Sequence, residues 1–217
     1  MPSGRLALLV ALSAFLPQGG GRTAPPVPAH RADIGVPPAV AFAHLRDQHA
    51  EARAARLQGR APRTLRRPGG AGATLAVVFA CADAARDLPA LLHVPAEDLV
   101  VMTSPGPTLR REEIAHLERL ATEDRVSLAV VLVHEPCRSL ASAGPASRPA
   151  AGPTRDRHGP EIRHALAQVQ AAYLASPRLR ALEEAGEFAV AVGSVRGPIG
   201  AIEWLSLSAP PAPPFPR

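Results

Sequence analysis

Lysine is absent from the 217 residues, so all 24 basic side chains are arginine, a bias that reflects base composition more than function. Aromatic residues make up only 3% of the chain, with one Trp and one Tyr, and there are just two cysteines. Each shortage excludes something. The net charge of +5 raises the question of polyanion partners. However, the arginines are scattered among 19 acidic residues and there are few rings on which bases could stack. The densest basic stretch, Arg53, Arg56, Arg60, Arg63, Arg66 and Arg67, is expected to be a solvated helix face and loop. No nucleic-acid partner is therefore predicted. Stable membrane insertion is not predicted either, because a spanning helix needs about 20 apolar residues. The run from Leu6 to Leu16 is only eleven residues long.

That run follows a single positive residue, Arg5, and is succeeded by small residues, with Val27-Pro28-Ala29 fitting a small-x-small cleavage site. This is the pattern of a secretory signal peptide. Residues 1–29 are predicted to be a leader, with a periplasmic or secreted mature protein. The length suits one domain with a full core, assigned to residues 30–208. A Pro-rich disordered tail over 209–217 is expected after it.

Two apolar runs stand out within the domain. Residues 74–80 read Thr-Leu-Ala-Val-Val-Phe-Ala, and residues 126–133 read Val-Ser-Leu-Ala-Val-Val-Leu-Val. Continuous runs without alternation mark strands buried on both faces of a mostly parallel sheet. A third run starts at Asp98, ends at Met102, and is broken by Ser104-Pro105-Gly106-Pro107. Helices are predicted between the strands. One spans 38–58, with Val40, Ala41, Leu45, Ala52 and Leu57 as its apolar side chains and Gly59 as its C-terminal cap. A short one follows from about Asp83 to Leu92. Another covers 109–123, with Ile114, Leu117, Leu120 and Ala121 at helical spacing. Pro160 opens one with Ile162, Leu166, Val169 and Leu174 on one face. Ser176 and Pro177 cap a further short helix that ends at Gly186. Residues 141–159 read as a long mobile loop, and strands close the domain over 188–195 and 199–207. The fold class is α/β: a mostly parallel central sheet flanked by helices.

The chemistry-bearing residues lie at the ends of the two apolar runs. Cys81-Ala82-Asp83 follows the first, and His134-Glu135-Pro136-Cys137 follows the second. In open α/β sheets ligands gather beyond the carboxyl ends of the strands. Two thiolates and an imidazole are a zinc ligand set with the fourth position open. Asp83, two residues from Cys81, can either take that position or hydrogen-bond the water there. Two plainer readings compete. A cysteine in an apolar strand is often only a small core residue, and two cysteines in an exported chain can form a disulfide.

The pattern of Cys-x-Asp and then His-x-x-Cys, 53 residues after Cys81, resembles the β-class carbonic anhydrases. Other segments share the likeness: Asp98-Leu99-Val100-Val101 with Gly106, Leu117-Glu118, Ser176-Pro177-x-Leu179, Val192-Gly193-Ser194-Val195 and Gly200-Ala201-Ile202-Glu203-Trp204-Leu205. It runs from residue 38 to residue 207. The resemblance implies a zinc enzyme for the reversible hydration of carbon dioxide to bicarbonate. Cys81, His134 and Cys137 would be its metal ligands, and Asp83 would be a catalytic or fourth-ligand carboxylate. It also implies a homodimer, because the family's N-terminal helix packs across a partner. The surroundings depart from the family pattern. The arginine that restrains the family's aspartate is Ala85 here, with Arg86 one position on, and a one-residue shift turns a side chain by about 100° on a helical turn. Thr103 and Pro107 replace an arginine and an asparagine, and Val133 and Arg138 replace glycines. An alternative is therefore a catalytically impaired zinc-binding homologue in which Asp83 closes the site.

Overall fold

The computed structural model of the chain describes residues 35–69, 73–82, 87–106, 108–137, 159–197 and 200–205. The predicted leader, the tail, Asp83, Ala85, Arg86, Pro107, Arg138 and nearly all of the predicted 141–159 loop lie outside the described residues. The first apolar run forms β1 (Ala76–Cys81), and the second forms β3 (Leu128–Glu135). With β2 (Leu99–Ser104), β4 (Ala189–Arg196) and β5 (Ala201–Leu205) they make one five-stranded sheet in the order β2-β1-β3-β4-β5. The first four strands are mutually parallel, and β5 returns antiparallel to β4.

Alternate side chains of each strand enter two separate cores. Val77, Phe79, Ala129, Val131 and Val133 face the layer of α3 (Arg111–Thr122), α4 (Pro160–Ala175) and α5 (Pro177–Glu184). Ala76, Val78, Ala80, Val130 and Leu132 face the layer that holds α1 (Pro38–Leu57) and α2 (Leu88–Leu92). Both faces are covered, which is why β1 and β3 carry no polar alternation. The edge strand β2 does alternate, with Val101 and Thr103 exposed between half-buried neighbours.

Helix boundaries follow local chemistry. At the start of α5, Ser176 Oγ accepts the Leu179 N–H at 3.1 Å, and the same hydroxyl donates to Glu118 Oε2 at 2.6 Å. Glu113 accepts the Arg110 N–H at 2.8 Å, closing the first turn of α3. α1 ends in Gln58, and Gly59 follows at φ 63°, a left-handed conformation that suits glycine.

Three apolar side chains of the predicted helices are exposed: Val40 and Leu57 of α1, and Leu174 of α4. In α4 the buried face runs through Ile162, Ala165, Val169, Ala172 and Tyr173, and Leu174 falls outside its arc. In α1 the buried stripe is Ala41, Leu45, Gln48, His49, Ala52 and Ala55. It contains two polar residues, and each is satisfied. Gln48 donates to His93 O at 2.6 Å and accepts the Leu65 N–H. His49 Nδ1 lies 3.0 Å from Leu91 O, while its Nε2 accepts the Ile202 N–H at 3.1 Å. A carbonyl only accepts and an amide N–H only donates, so these bonds select the neutral ring with its proton on Nδ1. The basic stretch is partly engaged within the chain. Arg60 pairs with Glu51 at 2.6 Å, Arg56 donates to Ala90 O at 2.6 Å, and Arg67 pairs with buried Asp98 at 2.8 Å. Among the described residues no helix is long and apolar enough to cross a membrane.

Candidate metal centre

β1 and β3 are neighbours, and the register pairing Ala80 with Leu132 brings their carboxyl ends together. Cys81 is the last residue of β1, and His134 is the penultimate residue of β3. A turn through the cis Glu135–Pro136 peptide then delivers Cys137. Sheet pairing therefore brings together residues 53 apart in sequence. The donor atoms of Cys81, His134 and Cys137 all lie within 4.8 Å of one another, with both cysteines buried. Among the described residues they are the one group of three or more His, Cys, Asp or Glu side chains so arranged.

The two sulfurs lie 3.8 Å apart. A disulfide holds its sulfurs at about 2.05 Å, so the two cysteines are not bridged. A tetrahedral zinc ion with Zn–S bonds of about 2.3 Å separates its two thiolates by about 3.8 Å. His134 Nε2 is buried and has no hydrogen-bond partner among the described residues. A buried ring nitrogen left unpaired is costly, and a metal ion satisfies it. Sulfur spacing, orphaned nitrogen and donor chemistry all fit zinc, with a fourth position for water or an anion. The competing sequence reading of two simple core cysteines does not account for the orphaned imidazole beside them.

β2 runs beside β1, and the turn that follows it is braced by α4. Ser104, the register partner of Cys81, accepts the Thr108 N–H at 3.1 Å and donates to Gly106 O, which shapes the turn after β2. Leu109 N–H is held by Gln168 of α4 at 2.9 Å. Thr103 is exposed on the edge strand, and Val133 is fully buried beside His134.

A carboxylate that the sequence reading left without a role stands between two donors. Ser194 donates its hydroxyl to Glu135 Oε1 at 2.9 Å, and Arg196 Nε pairs with Glu135 Oε2 at 3.2 Å. The only sequence signal for it is its place inside His-x-x-Cys; its partners come from β4, 59 and 61 residues away.

No family model matches the chain, and no curated protein matches it. Among solved structures it is similar to a β-carbonic anhydrase of the filamentous ascomycete Sordaria macrospora, one of two described as tetrameric. That match has 17% identity and a TM-score of 0.48, and covers 64% of this chain and 84% of that one. It is similar to the β-carbonic anhydrase of Coccomyxa, solved with acetazolamide, at 16% identity and a TM-score of 0.47, over 63% of this chain and 73% of that one. It is also similar to a carbonic anhydrase of Streptococcus mutans, at 16% identity and a TM-score of 0.42, over 74% of this chain and 96% of that one. These structures belong to the family, or carry the activity, that the Cys-x-Asp and His-x-x-Cys motifs resemble.

Proposed function

We propose that this chain is a zinc-dependent carbonic anhydrase, catalysing the reversible hydration of carbon dioxide to bicarbonate and a proton. The observation that carries the reading is the Cys81–His134–Cys137 group, with its sulfur spacing and its unpaired imidazole, at the carboxyl ends of adjacent parallel strands. Zinc bound by two thiolates and an imidazole supplies Lewis acidity that makes a water in its open position acidic enough to act as a nucleophile near neutral pH. Cys81, His134 and Cys137 hold the ion. The buried strand ends that carry them keep bulk water from the inner side of the site. Asp83 serves to orient the attacking water, with Arg86 as the cation nearest it in sequence.

A second reading is favoured by one residue. Ala85 stands where the family's arginine restrains the aspartate, so Asp83 is free to bind the metal and close the site to substrate. One experiment addresses both readings. Zinc content is measured for wild type, Cys81→Ala, His134→Ala and Cys137→Ala, and stopped-flow hydration is followed for wild type and Ala85→Arg at matched zinc. About one zinc per wild-type chain and its loss from the three ligand variants are expected. Retention of zinc by all three would defeat the assignment. A gain in hydration on Ala85→Arg supports the closed site, whereas a fast wild type unchanged by it supports the open one.

The apolar run at Leu6–Leu16 supports export to the periplasm or beyond, which N-terminal sequencing of the mature protein reads directly. A homodimer fits the same reading, with the exposed apolar Val40 and Leu57 of α1 available for a partner.

A further inference from the structure

Glu135 immediately follows His134 and precedes Cys137 by two residues, yet it is not part of the donor group. Its side chain leaves β3 on the face opposite that of His134, because successive residues of a strand alternate. Four contacts meet there. Ser194, fully buried, donates to Oε1 at 2.9 Å. Arg196 reaches Oε2 through Nε at 3.2 Å and Oε1 through a terminal nitrogen at 3.4 Å, while its other terminal nitrogen holds Glu203 Oε2 at 2.8 Å. Gly159, just before α4, packs so closely that a Cβ there would lie 3.4 Å from Oε1. One carboxylate thus ties the end of β3 to β4 and, through Arg196, to β5, and lies close to Gly159 at the start of α4.

Stability does not explain the arrangement. The side chains of Arg196 and Glu203 are 47% and 51% exposed, and ion pairs in such settings contribute little. Direction is what the cluster fixes. Held by Ser194 and by two nitrogens along one edge of the Arg196 guanidinium, the carboxylate is restricted in rotation, and the 134–137 turn is braced from behind the imidazole. Groups that orient metal ligands in this way commonly change metal affinity by about 10–100-fold when removed.

We propose that Glu135, gripped by Ser194 and Arg196, is a positioning residue for the zinc site: it sets the angle at which His134 and Cys137 present their donors. The inference rests on the zinc reading above. The test uses the full chain as wild type, Glu135→Ala, Glu135→Gln and Ser194→Ala. Zinc affinity is measured by chelator competition, and ligand geometry by the visible spectrum after cobalt(II) replaces zinc. Glu135→Ala should weaken zinc binding about tenfold or more and alter the cobalt bands. Glu135→Gln keeps an acceptor for the Ser194 hydroxyl and should fall between Glu135→Ala and wild type. Thermal midpoints of the metal-free variants should stay close to that of the metal-free wild type.

Wild-type affinity and an unchanged cobalt spectrum in Glu135→Ala would overturn the proposal. So would a collapse of its metal-free midpoint as deep as that of the core variant Leu128→Ala, because the residue would then support the fold and not the site. A wild type that takes up neither zinc nor cobalt would overturn the zinc reading itself. Defects confined to the Glu135 and Ser194 variants leave that reading standing and support the positioning role.

Discussion

His49 offers a sharp test of how α1 is fastened to the sheet. Its ring bridges Leu91 O and the Ile202 N–H, linking α1 to the end of α2 and to β5. Only the neutral ring makes both bonds, because a proton on Nε2 would face the Ile202 N–H and forfeit that bond, while the Nδ1–H bond to Leu91 O survives in either state. Burial pushes the His49 pKa below its ordinary 6.5, and the Arg56 and Arg53 guanidiniums push the same way against the contrary effect of Leu91 O. The folded chain therefore takes up this proton at lower pH than the unfolded chain does. In the interval between, the unfolded state binds more protons, so stability is complete above pH 6.5 and falls as the pH drops below it. One proton changes stability by at most about 1.4 kcal/mol per pH unit. Replacing His49 by Ala removes two hydrogen bonds worth about 1 kcal/mol each and leaves a partly buried carbonyl and amide poorly paired, for a total of about 2–4 kcal/mol. In a domain of this size that corresponds to a melting-point loss of roughly 6–12 °C.

Trp204, the chain's single tryptophan, reports on the same junction from β5, with its ring edge-on to Phe42 of α1 at 5.4 Å. The assay is urea unfolding followed by Trp204 fluorescence between pH 5 and pH 8. His49→Gln can reproduce both bonds with an amide that does not titrate. It should retain much of the stability at pH 7.5 and show a shallower decline below pH 6.5 than wild type. His44, whose pKa burial also lowers, is present in both proteins and cancels in the comparison. Identical acid slopes for wild type and His49→Gln would refute the reasoning.

Two further expectations are simpler to check. At Gly193 of β4 an added Cβ would lie 2.8 Å from Leu132 Cδ2, 3.0 Å from Ile202 Cγ2 and 3.1 Å from Trp204 Cε3, so Gly193→Ala should cost about 1–3 kcal/mol in denaturant unfolding and shift the Trp204 emission. The proposed homodimer should appear in light scattering as a mass twice that of the chain at micromolar concentration; a stable monomer there would remove it.

The central layer of this fold is legible in the sequence because burial on both faces imposes one rule on every residue of a strand. Residues 76–81 and 128–133 obey that rule without exception. The three donors are legible for a related reason: cysteine is so scarce here that its two occurrences, each at a strand end, stand out. Ser176 is legible because an N-cap is a local device, satisfied three residues away. What the sequence concealed is nonlocal. Gln48 and His49 share the helix face of Ala41, Leu45 and Ala52, but nothing local names their partners, which include His93, Leu91 and Ile202, the last 153 residues from His49. Leu174 is a different case: helical phase, a local property, already turns it about 120° from Ile162 and off the face expected for it. Glu135 is an unremarked spacer in the motif until β4 supplies Ser194 and Arg196.

The place of the donors in the strand order bears on how long the site can keep an ion. Local opening in proteins begins where backbone groups have few buried neighbours. In this sheet those places are the outer strands: β2, with its exposed alternate residues, and β5, where no residue is fully buried. The donors ride instead on β1 and β3, which are paired on both sides. Amide hydrogens at the outer strands can therefore exchange with solvent while β1 and β3 stay paired over residues 77–80 and 129–132. On the proposed ligand set, loosening Cys81 and His134 together would need the central strands to part, the opening that exchanges the amides of residues 128–133.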